Sequence, residues 1–528
     1  MFEVPATPGV LPGGRPRAHL ALVLHAHLPF VRAPDDDRHL EGRWLEEALL
    51  ETYLPLLDVF DRLEADGVPG SLSLGLTPTL IEMLRDPLLM GRFATRLDRL
   101  DALVTAELPR TPPEFLPALA FHRDRTARAR TVLARHGGDV VGGFVHHATI
   151  GRLDLLASAA THAFLPALPA RALDAQVRIG ALSFRNATGF APSGFWLPEC
   201  AIDRVVEAAI ARAGLRYAVV EADAVLGARP RPPLGVRAPI ASAQGVALFG
   251  RDPAASEEVW SAEVGFPGHA AYREWHRDVG FDRPVEQLLG EVGPDGTRVA
   301  TGLKLHRVTG REVPLSHKAP WDPRVAEATA RGHARAFVDA RGHLRPGELS
   351  VAPFDAELFG HWWYEGPWFL DEVLRLLAEH PSLAALSLRD HLEARPMLVQ
   401  AAPAASTWGE AGRSDTWICE ENAHVLRRVR RGAHALGAAI DRRPRPSCPA
   451  LQQAVVEHLL LSASDWPFMI RKDTTRQYAE ARAALHDERL RALLEMIAHG
   501  AVDDAKVAEI AREDTFLHAL GPDLPGLF

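Results

Sequence analysis

Short apolar runs alternate with longer amphipathic stretches over the first 400 residues of the chain. Runs of strand length lie at 19–31, 70–76, 139–145, 193–197, 216–220 and 349–354. Segments with helical spacing separate several of them, for example residues 44–66 and 203–214. Uninterrupted apolar runs are typical of strands that are buried on both faces. The pattern therefore predicts a parallel α/β sheet with its functional residues at the C-terminal ends of the strands.

Three segments depart from this alternation. Residues from about 77 to 136 are rich in Leu and Arg and lack strand signals, which predicts a helical insertion. Residues from about 226 to 300 are rich in Gly and Pro and indicate a loop region over the substrate. Beyond about residue 400 only helical periods remain, at 420–440, 449–464 and 473–499.

These changes of pattern divide the chain into three parts. We expect a flexible leader at 1–17, a catalytic domain at 18–400 and a C-terminal helical domain at 401–528. A length of 528 residues agrees with more than one domain. A fraction of 47% hydrophobic and 24% charged residues is ordinary for a folded globular protein.

Charge and cysteine content narrow the class of partner and the compartment. The net charge of −9 disfavours nonspecific binding to nucleic acid or to an anionic membrane, so we expect neither partner. Three cysteines lie far apart, which argues against a disulfide framework and for a reducing compartment. The N-terminal segment has Pro and Gly where a signal peptide needs an apolar core, and we expect a cytoplasmic protein.

Two carboxylates follow apolar strands in surroundings rich in Trp, Phe and His. Glu199 lies in FWLPEC and Asp355 in PFDAELFGHWWYEG. Burial raises the pKa of a carboxyl group, whereas hydrogen-bond donors keep it ionised, and cleavage of a glycosidic bond needs one group of each kind. A single carboxylate of this kind more often caps a helix. The occurrence of two favours a catalytic pair.

Aromatic and histidine side chains near these motifs are typical of a sugar-binding cleft, because an indole covers the apolar face of a sugar ring. The aromatic candidates are Trp196, Trp362, Trp363, Tyr364, Trp408, Trp417 and Trp466. Core packing is the alternative for any one of them. His25 and His27 in HAHLP have the spacing of a metal site, but with His162 and His361 we interpret them as neutral groups that bond sugar hydroxyls.

Together these segments resemble glycoside hydrolase family 57, and within it the glycogen branching enzymes. Five blocks carry the resemblance: HAHLPF at 25–30, GRLDLLASAATHAFLPAL at 151–168, FWLPECA at 195–201, PFDAELFGHWWYEG at 353–366, and STWGEAG with the following Trp417. Supporting segments include YREWHRDVGFD at 272–282 and SDWPFM at 464–469. The resemblance implies an incomplete (β/α)7 barrel with a helical insertion and a C-terminal all-helical domain that lines the cleft.

The resemblance also implies roles for individual residues. Glu199 would be the nucleophile that forms a covalent glucosyl-enzyme, and Asp355 the general acid and base. The residues implied to bind substrate are His25, His27, His162, Trp196, His361, Trp362, Trp408, Trp417, Asp465 and Trp466. No metal and no organic cofactor is implied, and we expect a monomer or a weak homo-oligomer.

The sequence departs from the family pattern at several positions. Ile202 replaces a usual Tyr, Glu221 and Asp223 stand in a segment that is usually VDTH-like, Asp154 replaces Glu, and His269 replaces an Asp. In RAPIASAQG at 237–245, where aromatic residues are usual, the chain has Arg237, Ile240 and Ala241. We expect this last change to shift the balance from transfer toward hydrolysis.

The first hypothesis is a retaining transglycosylase that cleaves α-1,4 links of amylose or glycogen and forms α-1,6 branches. The second is an α-amylase or a 4-α-glucanotransferase of the same family. The third is a noncatalytic or weakly active glucan-binding protein, which the retention of both carboxylates argues against. A metal-dependent hydrolase is the fourth and rests on His25 and His27 alone.

Overall fold

The computed structural model describes residues 17–36, 40–261, 263–293, 295–395, 397–442 and 448–528. All but the last residue of the leader expected at 1–17 therefore lies outside the described residues. Within the described residues, no helix is both long enough and apolar enough to cross a membrane.

A curved, largely parallel β-sheet forms the centre of the fold. Its strands are β1 (Ala18–Ala26), β2 (Leu72–Leu76), β3 (Leu153–Ser158), β4 (Gly194–Trp196), β5 (Tyr217–Val220), β6 (Ile240–Ala241), β7 (Ala247–Gly250), β8 (Leu349–Asp355), β9 (Leu383–Ala385) and β10 (Val399–Gln400). The order is β10-β6-β7-β5-β4-β3-β2-β1-β8, with β9 next to the start of β1. All pairs are parallel except β6 with β7.

Seven of these strands form the arc of an incomplete barrel, from β7 through β5, β4, β3, β2 and β1 to β8. The two ends of the arc approach each other without forming a strand pair. The backbone N–H of Asp252, just after β7, donates to the carbonyl of Val351 in β8 at 2.8 Å. Ser350 Oγ donates to Asp252 Oδ2 at 2.6 Å. The predicted seven-stranded incomplete barrel is confirmed.

Helices surround the sheet and make up the C-terminal part of the chain. They are α1 (Gly42–Ala48), a π-helical turn (Leu49–Tyr53), α2 (Leu54–Ala65), α3 (Pro78–Arg85), α4 (Pro87–Glu107), α5 (Leu116–Arg135), α6 (Val140–Thr149), α7 (Ala170–Thr188), α8 (Arg204–Arg212), α9 (Ala222–Leu226), α10 (Pro253–Trp260), α11 (Val279–Asp282), α12 (Pro323–Asp339), α13 (Gly366–Glu379), α14 (Leu388–Ala394), α15 (Ala423–Asp441), α16 (Pro449–Leu461), α17 (Asp465–Lys472), α18 (Arg476–His499), α19 (Asp504–Glu513) and α20 (Leu524–Leu527). Helices α3, α4 and α5 occupy the predicted insertion, and α15 to α20 the predicted C-terminal helical part.

One predicted strand is wrong. Residues 139–145 begin helix α6, because Asp139 caps its N-terminus by accepting from the backbone N–H of Gly142 at 2.8 Å. Val140, Phe144 and His147 are buried at helical spacing on one face. The strand of this region is instead β3, whose run LDLLAS is fully buried although it contains Asp154.

Helix α16 is the core of the C-terminal helices. Leu451, Val455 and Leu459 are buried, as are most of its other residues, and α18 packs along it. An apolar residue on every face is typical of a helix surrounded by others. The loop that follows α16 carries Ser462 to Ser464 toward the sheet, where Ala463 bridges to Ala163. This contact brings the C-terminal part against the ends of the strands.

Candidate active site

The candidate carboxylates lie at the same edge of the sheet. Asp355 is the last residue of β8, and Glu199 lies in the short 3₁₀ turn after β4. His25, near the end of β1, is in register with Asp355. Because parallel strands present their C-terminal ends at one edge, residues far apart in sequence meet there. The structure therefore brings together the residues that the motifs single out.

Glu199 is held in an unusual backbone conformation. Its φ is 61° and ψ is 22°, and the next residue, Cys200, also has a positive φ, of 49°. Left-handed conformations are uncommon for residues other than Gly and cost of order 1 kcal/mol or more each. Trp408 Nε1 donates to Glu199 Oε2 at 2.7 Å, and Ser464 Oγ donates to Oε1 at 2.8 Å. The carboxylate is thus fixed by two donors from the C-terminal part of the chain.

Asp355 has a different environment. Among the side chains and backbone groups that the structure describes, none donates a hydrogen bond to its carboxyl group. Its acidic neighbour Glu357 accepts from Tyr53 Oη at 2.5 Å and from the backbone N–H of His27 at 3.1 Å. The charges of Glu357 and Glu199 both act on Asp355, which therefore lies within electrostatic range of both carboxylates.

The two carboxyl groups differ in how strongly they hold a proton. Burial raises the pKa of Glu199 to about 7, although the hydrogen bonds from Trp408 and Ser464 lower it. Burial raises the pKa of Asp355 well above its usual value, and the charges of Glu357 and Glu199 raise it further. Asp355 has no donor to stabilise its anion, whereas Glu199 has two, so Asp355 is the better suited of the two to carry a proton and Glu199 the better suited to be ionised. The pair can supply one acid and one carboxylate at the same pH.

Three stacked imidazoles lie beside Glu199. The rings of His25 and His162 are 4.8 Å apart, and those of His27 and His162 are 4.0 Å apart. His25 also stacks on Trp196, at 4.4 Å. Burial lowers the pKa of His25 and His162 well below the usual value, and the electrostatic effect of His27 lowers both further. Both are therefore neutral near pH 7.

The hydrogen bonds of these neutral rings fix their tautomers. Ser464 donates its single proton to Glu199, so Ser464 Oγ accepts from His162 Nδ1 at 2.9 Å. His162 Nε2 then carries no proton and accepts from His25 Nε2 at 2.9 Å. His25 Nδ1 is left as a bare nitrogen, and none of the described residues offers it a hydrogen bond. This relay from His25 through His162 and Ser464 ends at Glu199 and favours its ionised form.

His27 and Asp465 form a second link between the barrel and the C-terminal part. His27 Nε2 lies 3.2 Å from Asp465 Oδ2, and its Nδ1 lies 3.1 Å from Thr77 Oγ1. Thr77 in turn contacts Thr79 at 3.2 Å. The ring of His27 is thereby held at both nitrogens.

The tryptophans singled out from the sequence fall into two groups. Trp196, Trp417 and Trp466 are at most 2% exposed, so they support the site from beneath and offer no open ring face. Trp417 stacks on Phe164 at 5.0 Å. Trp408 is partly exposed and holds Glu199, and its ring meets the edge of Trp260, which the sequence analysis missed.

A second aromatic surface surrounds His361. Trp362 is 58% exposed and stacks on Trp275 at a centroid distance of 4.9 Å. Lys304 Nζ lies 3.9 Å from the centroid of the Trp275 ring. His361 Nδ1 lies 3.6 Å from Glu51 Oε2, beyond hydrogen-bond distance, and no other group in the described ranges bonds it. An exposed indole on a rigid base is suited to cover a sugar ring.

Several site residues had no sequence signal of their own. Ser464 and Trp275 lie in segments quoted for the resemblance, SDWPFM and YREWHRDVGFD, yet nothing in the residue pattern marked them. Glu357 lies in the turn that follows β8, and Tyr53 lies in the π-helical turn at Leu49–Tyr53. The two segments meet only in the folded protein. A serine donor can be recognised only once its partner is in place.

The segment at 237–245 lies beside the last strands of the arc. Ile240 and Ala241 form β6, which runs antiparallel to β7 and pairs with its first half. The chain before β6 therefore lies toward the C-terminal end of β7, where a Cβ at Gly250 would meet the side chain of Val236 at 3.0 Å. Arg237 NH1 lies 3.4 Å from Glu348, at the start of β8. The expectation that Arg237, Ile240 and Ala241 alter the balance of transfer and hydrolysis stays a prediction.

The other departures from the family pattern are structural in this chain. Asp154 lies inside the barrel, where it accepts from Tyr217 Oη at 2.7 Å and from Ser73 Oγ at 3.0 Å. Glu221 caps α9 and pairs with Arg251 at 2.7 Å. Ile202 is buried and its backbone pairs with that of Ser406. Asp223 and His269 are exposed.

Comparison with known proteins gives consistent matches over most of the chain. The model of glycosyl hydrolase family 57 matches residues 21–400, and that of the 1,4-α-glucan branching enzyme C-terminal region matches residues 429–523. A probable 1,4-α-glucan branching enzyme of Mycobacterium tuberculosis is 32% identical over 524 residues, covering 92% of this chain and 93% of the relative.

Two solved structures are similar over the whole fold. The α-amylase AmyC of Thermotoga maritima has a TM-score of 0.87 at 32% identity, covering 96% of this chain and 99% of that chain. The family 57 branching enzyme of Thermococcus kodakaraensis, solved in complex with glucose, has a TM-score of 0.85 at 27% identity, covering 96% of both chains.

Proposed function

Because the chain belongs to glycosyl hydrolase family 57, we propose that it is a 1,4-α-glucan branching enzyme, with Glu199 as nucleophile and Asp355 as general acid and base. It cleaves an α-1,4 link of a glucan and joins the released segment to a 6-hydroxyl as an α-1,6 branch. The observation that carries the assignment of roles is the asymmetry of the carboxyl groups. Glu199 accepts two hydrogen bonds, whereas Asp355 accepts none from the described residues, and burial and two neighbouring carboxylates raise its pKa.

In the first step Asp355 donates its proton to the glycosidic oxygen while Glu199 attacks the anomeric carbon. The bond to the leaving glucan breaks, that glucan departs with a free 4-hydroxyl, and an ester joins the transferred segment to Glu199. In the second step the 6-hydroxyl of another glucan attacks the anomeric carbon, Asp355 takes its proton, and the ester breaks to regenerate the Glu199 carboxylate. Two inversions retain the α configuration.

The neighbouring side chains position the sugar for this reaction. We propose that His25, His27, His162 and His361 line the cleavage point. His25 and His361 each have a ring nitrogen that no described group bonds, and these nitrogens bond sugar hydroxyls. His27 and His162, whose nitrogens are taken by protein groups, hold Asp465 and Ser464 in place. Trp408 and Trp362 present partly open rings to the substrate. Trp196, Trp417, Trp466 and Asp465 hold the neighbouring side chains of the site in place. No step of this scheme uses a metal or an organic cofactor.

The proposal includes the expected domain division, with the catalytic domain at 18–400 and the helical domain at 401–528. It also includes action in the cytoplasm on glycogen-like glucans, which agrees with three free cysteines among the described residues. A monomer or weak homo-oligomer is sufficient, because both carboxylates and both donors to Glu199 come from one chain.

Product analysis on amylose tests the function directly. A branching enzyme lowers the iodine colour and creates chains that a debranching enzyme releases, with little increase in reducing ends. The likeness to AmyC makes α-amylase activity the second candidate. Abundant reducing ends without debranchable links would establish that candidate and contradict branching. Intact binding of amylose without any turnover would contradict both.

A further inference from the structure

A cluster of histidines and carboxylates lies outside the proposed active site, at the junction of α2, α5 and α6. Asp61 and Glu64 lie one turn apart on α2, His136 follows α5, and His146 and His147 lie near the end of α6. We propose that Asp61, His136 and His147 bind a divalent transition-metal ion, with Zn²⁺ the best fit. The two imidazoles and one carboxylate form a donor set that Zn²⁺ takes in proteins.

The ligand atoms of these three residues already converge. One atom from each lies within 4.8 Å of the others. His147 Nε2 is 3.0 Å from Asp61 Oδ1, and His136 Nε2 is 3.2 Å from Asp61 Oδ2. Two ligands of one tetrahedral zinc ion, each bound at about 2.0–2.1 Å, are roughly 3.3 Å apart. The two distances to Asp61 are already close to this value, so the separation of the two imidazole nitrogens, which is within 4.8 Å, is the one that has to shorten. Water from the open side can be the fourth ligand.

His147 supplies the observation that points to a ligand. Its side chain is fully buried, yet its Nδ1 has no hydrogen-bond partner in the part of the chain that the structure describes. Nδ1 lies 3.6 Å from Glu64 Oε2, which His146 Nε2 contacts at 3.0 Å. A histidine that binds a metal through one nitrogen usually turns its other N–H toward a carboxylate. Glu64 is placed for that second role.

The surroundings leave room for the ion and a route to it. A Cβ at position 143 would lie 3.1 Å from His136 Cγ and 3.0 Å from Leu57, so Gly143 makes the space that the His136 ring occupies. A cavity of about 540 Å³, lined in part by Asp61, Glu64, His136 and His146, opens beside the cluster. The ligands are thus held by packed helices and remain accessible from solvent.

Arg135 is the competitor for the same carboxylate. Its guanidinium pairs with Asp61 Oδ2, but the side chain is 45% exposed and free to turn outward. Removal of Arg135 therefore leaves the carboxylate of Asp61 without this guanidinium partner.

A second histidine–carboxylate cluster lacks this accessibility. Glu457, His486 and Asp514 are all buried, and Arg489 pairs directly with Asp514. Arg489, the cationic partner of Asp514, is enclosed together with this cluster. His25 and His27 belong to none of the groups within the described residues whose ligand atoms converge in this way.

Metal titration of the untagged full-length protein tests the proposal without reference to activity. After treatment with a chelator and dialysis, Co²⁺ is added as a spectroscopic probe and Zn²⁺ is titrated by calorimetry. We expect one equivalent to bind, with the visible absorption of four-coordinate Co²⁺. His136→Gln and Asp61→Asn should weaken binding at least tenfold, and Glu64→Gln about tenfold. Circular dichroism confirms that each variant is folded.

Two exposed positions sharpen the test. Arg135→Gln should tighten Zn²⁺ binding, because it removes the competing cation. His499→Gln, at the exposed end of α18, is the matched control and should leave binding unchanged. No stoichiometric binding, binding that survives His136→Gln, or weaker binding in Arg135→Gln would each overturn the proposal.

Discussion

Ser464 Oγ lies 2.8 Å from Glu199 Oε1, across 265 positions of sequence, and is the last donor in a relay of neutral groups. Because Ser464 gives its proton to Glu199, it stabilises the carboxylate over the acid. Ser464→Ala should therefore raise the pKa of Glu199 and move the acid limb of kcat/KM on amylose from about pH 7 toward higher pH. A hydrogen bond to a charged group contributes roughly 1.5–3 kcal/mol, so the acid limb should move by about 1–2 pH units.

The control for this experiment is Ser406→Ala. Ser406 is also buried near the site, but its hydroxyl bonds no group in the part of the chain that the structure describes, so its loss should leave the pH profile in place. A profile that moves equally in both variants would show that Ser464 acts through packing alone.

Removal of either catalytic carboxylate should abolish most of the turnover, for different reasons. Glu199→Ala should lose several orders of magnitude in kcat and recover part of it with azide, which takes the place of the missing nucleophile. Asp355→Asn should lose about 10²–10⁴-fold, because it cannot protonate the leaving oxygen. Initial rates on amylose, with and without azide, measure both effects. Azide rescue of Asp355→Asn combined with none of Glu199→Ala would reverse the assigned roles.

The raised pKa of Glu199 predicts a pH-dependent cost in stability. A carboxyl group whose folded pKa of about 7 exceeds its unfolded value favours folding at low pH, and this contribution is lost as pH rises through 7. Glu199→Gln cannot ionise and should be more stable than the wild type at pH 8, by up to roughly 3 kcal/mol. The advantage should vanish near pH 4. Denaturant unfolding at the two pH values checks this, and an advantage that is equal at both would contradict it.

The Trp275–Trp362 surface predicts a binding defect without a chemical one. Because Trp362 is 58% exposed, Trp362→Ala should fold normally and raise KM for amylose several-fold with little change in kcat. Phe190→Ala, an exposed aromatic residue at the end of α7, is the matched control and should leave KM unchanged. A fall in kcat at constant KM would place Trp362 at the reacting bond.

The 237–245 segment predicts a balance of transfer and hydrolysis that an aromatic residue would change. Arg237→Tyr introduces an aromatic side chain at the start of this segment, next to Val236, which lies beside the C-terminal end of β7. The ratio of debranchable links to reducing ends in the products from amylose should rise. An unchanged ratio would contradict a role of Arg237 in this balance.

The sequence predicted the barrel well because most of its strands are buried on both faces and read as plain apolar runs. It failed at 139–145, where DVVGGFV has strand composition but Asp139 caps a helix. It also missed two barrel strands. Strand β7 lies in the region predicted as a loop, and β3 contains Asp154, which interrupts the apolar run and finds its partners, Tyr217 and Ser73, only inside the folded barrel. Local pattern is sufficient where burial alone decides the element, and insufficient where a polar contact decides it.

The candidate site shows the same division. Glu199, Asp355 and the histidines stand in conspicuous motifs, but their protonation depends on Ser464, Glu357 and the stacking of rings, which are properties of the assembled fold. The tryptophan at 196 was expected on the surface of a cleft, and it lies under His25 as its packing base. Residue type indicates the chemistry of the site, whereas the accessibility of each side chain depends on the folded structure.

Both side chains that grip the nucleophile, Trp408 and Ser464, come from beyond residue 400, while the nucleophile itself sits on a left-handed turn of the barrel. The barrel by itself would leave the nucleophile without either donor. A chimaera that takes the strand edge from one protein and the last quarter of the polypeptide from another must reproduce both contacts, or its nucleophile is held loosely.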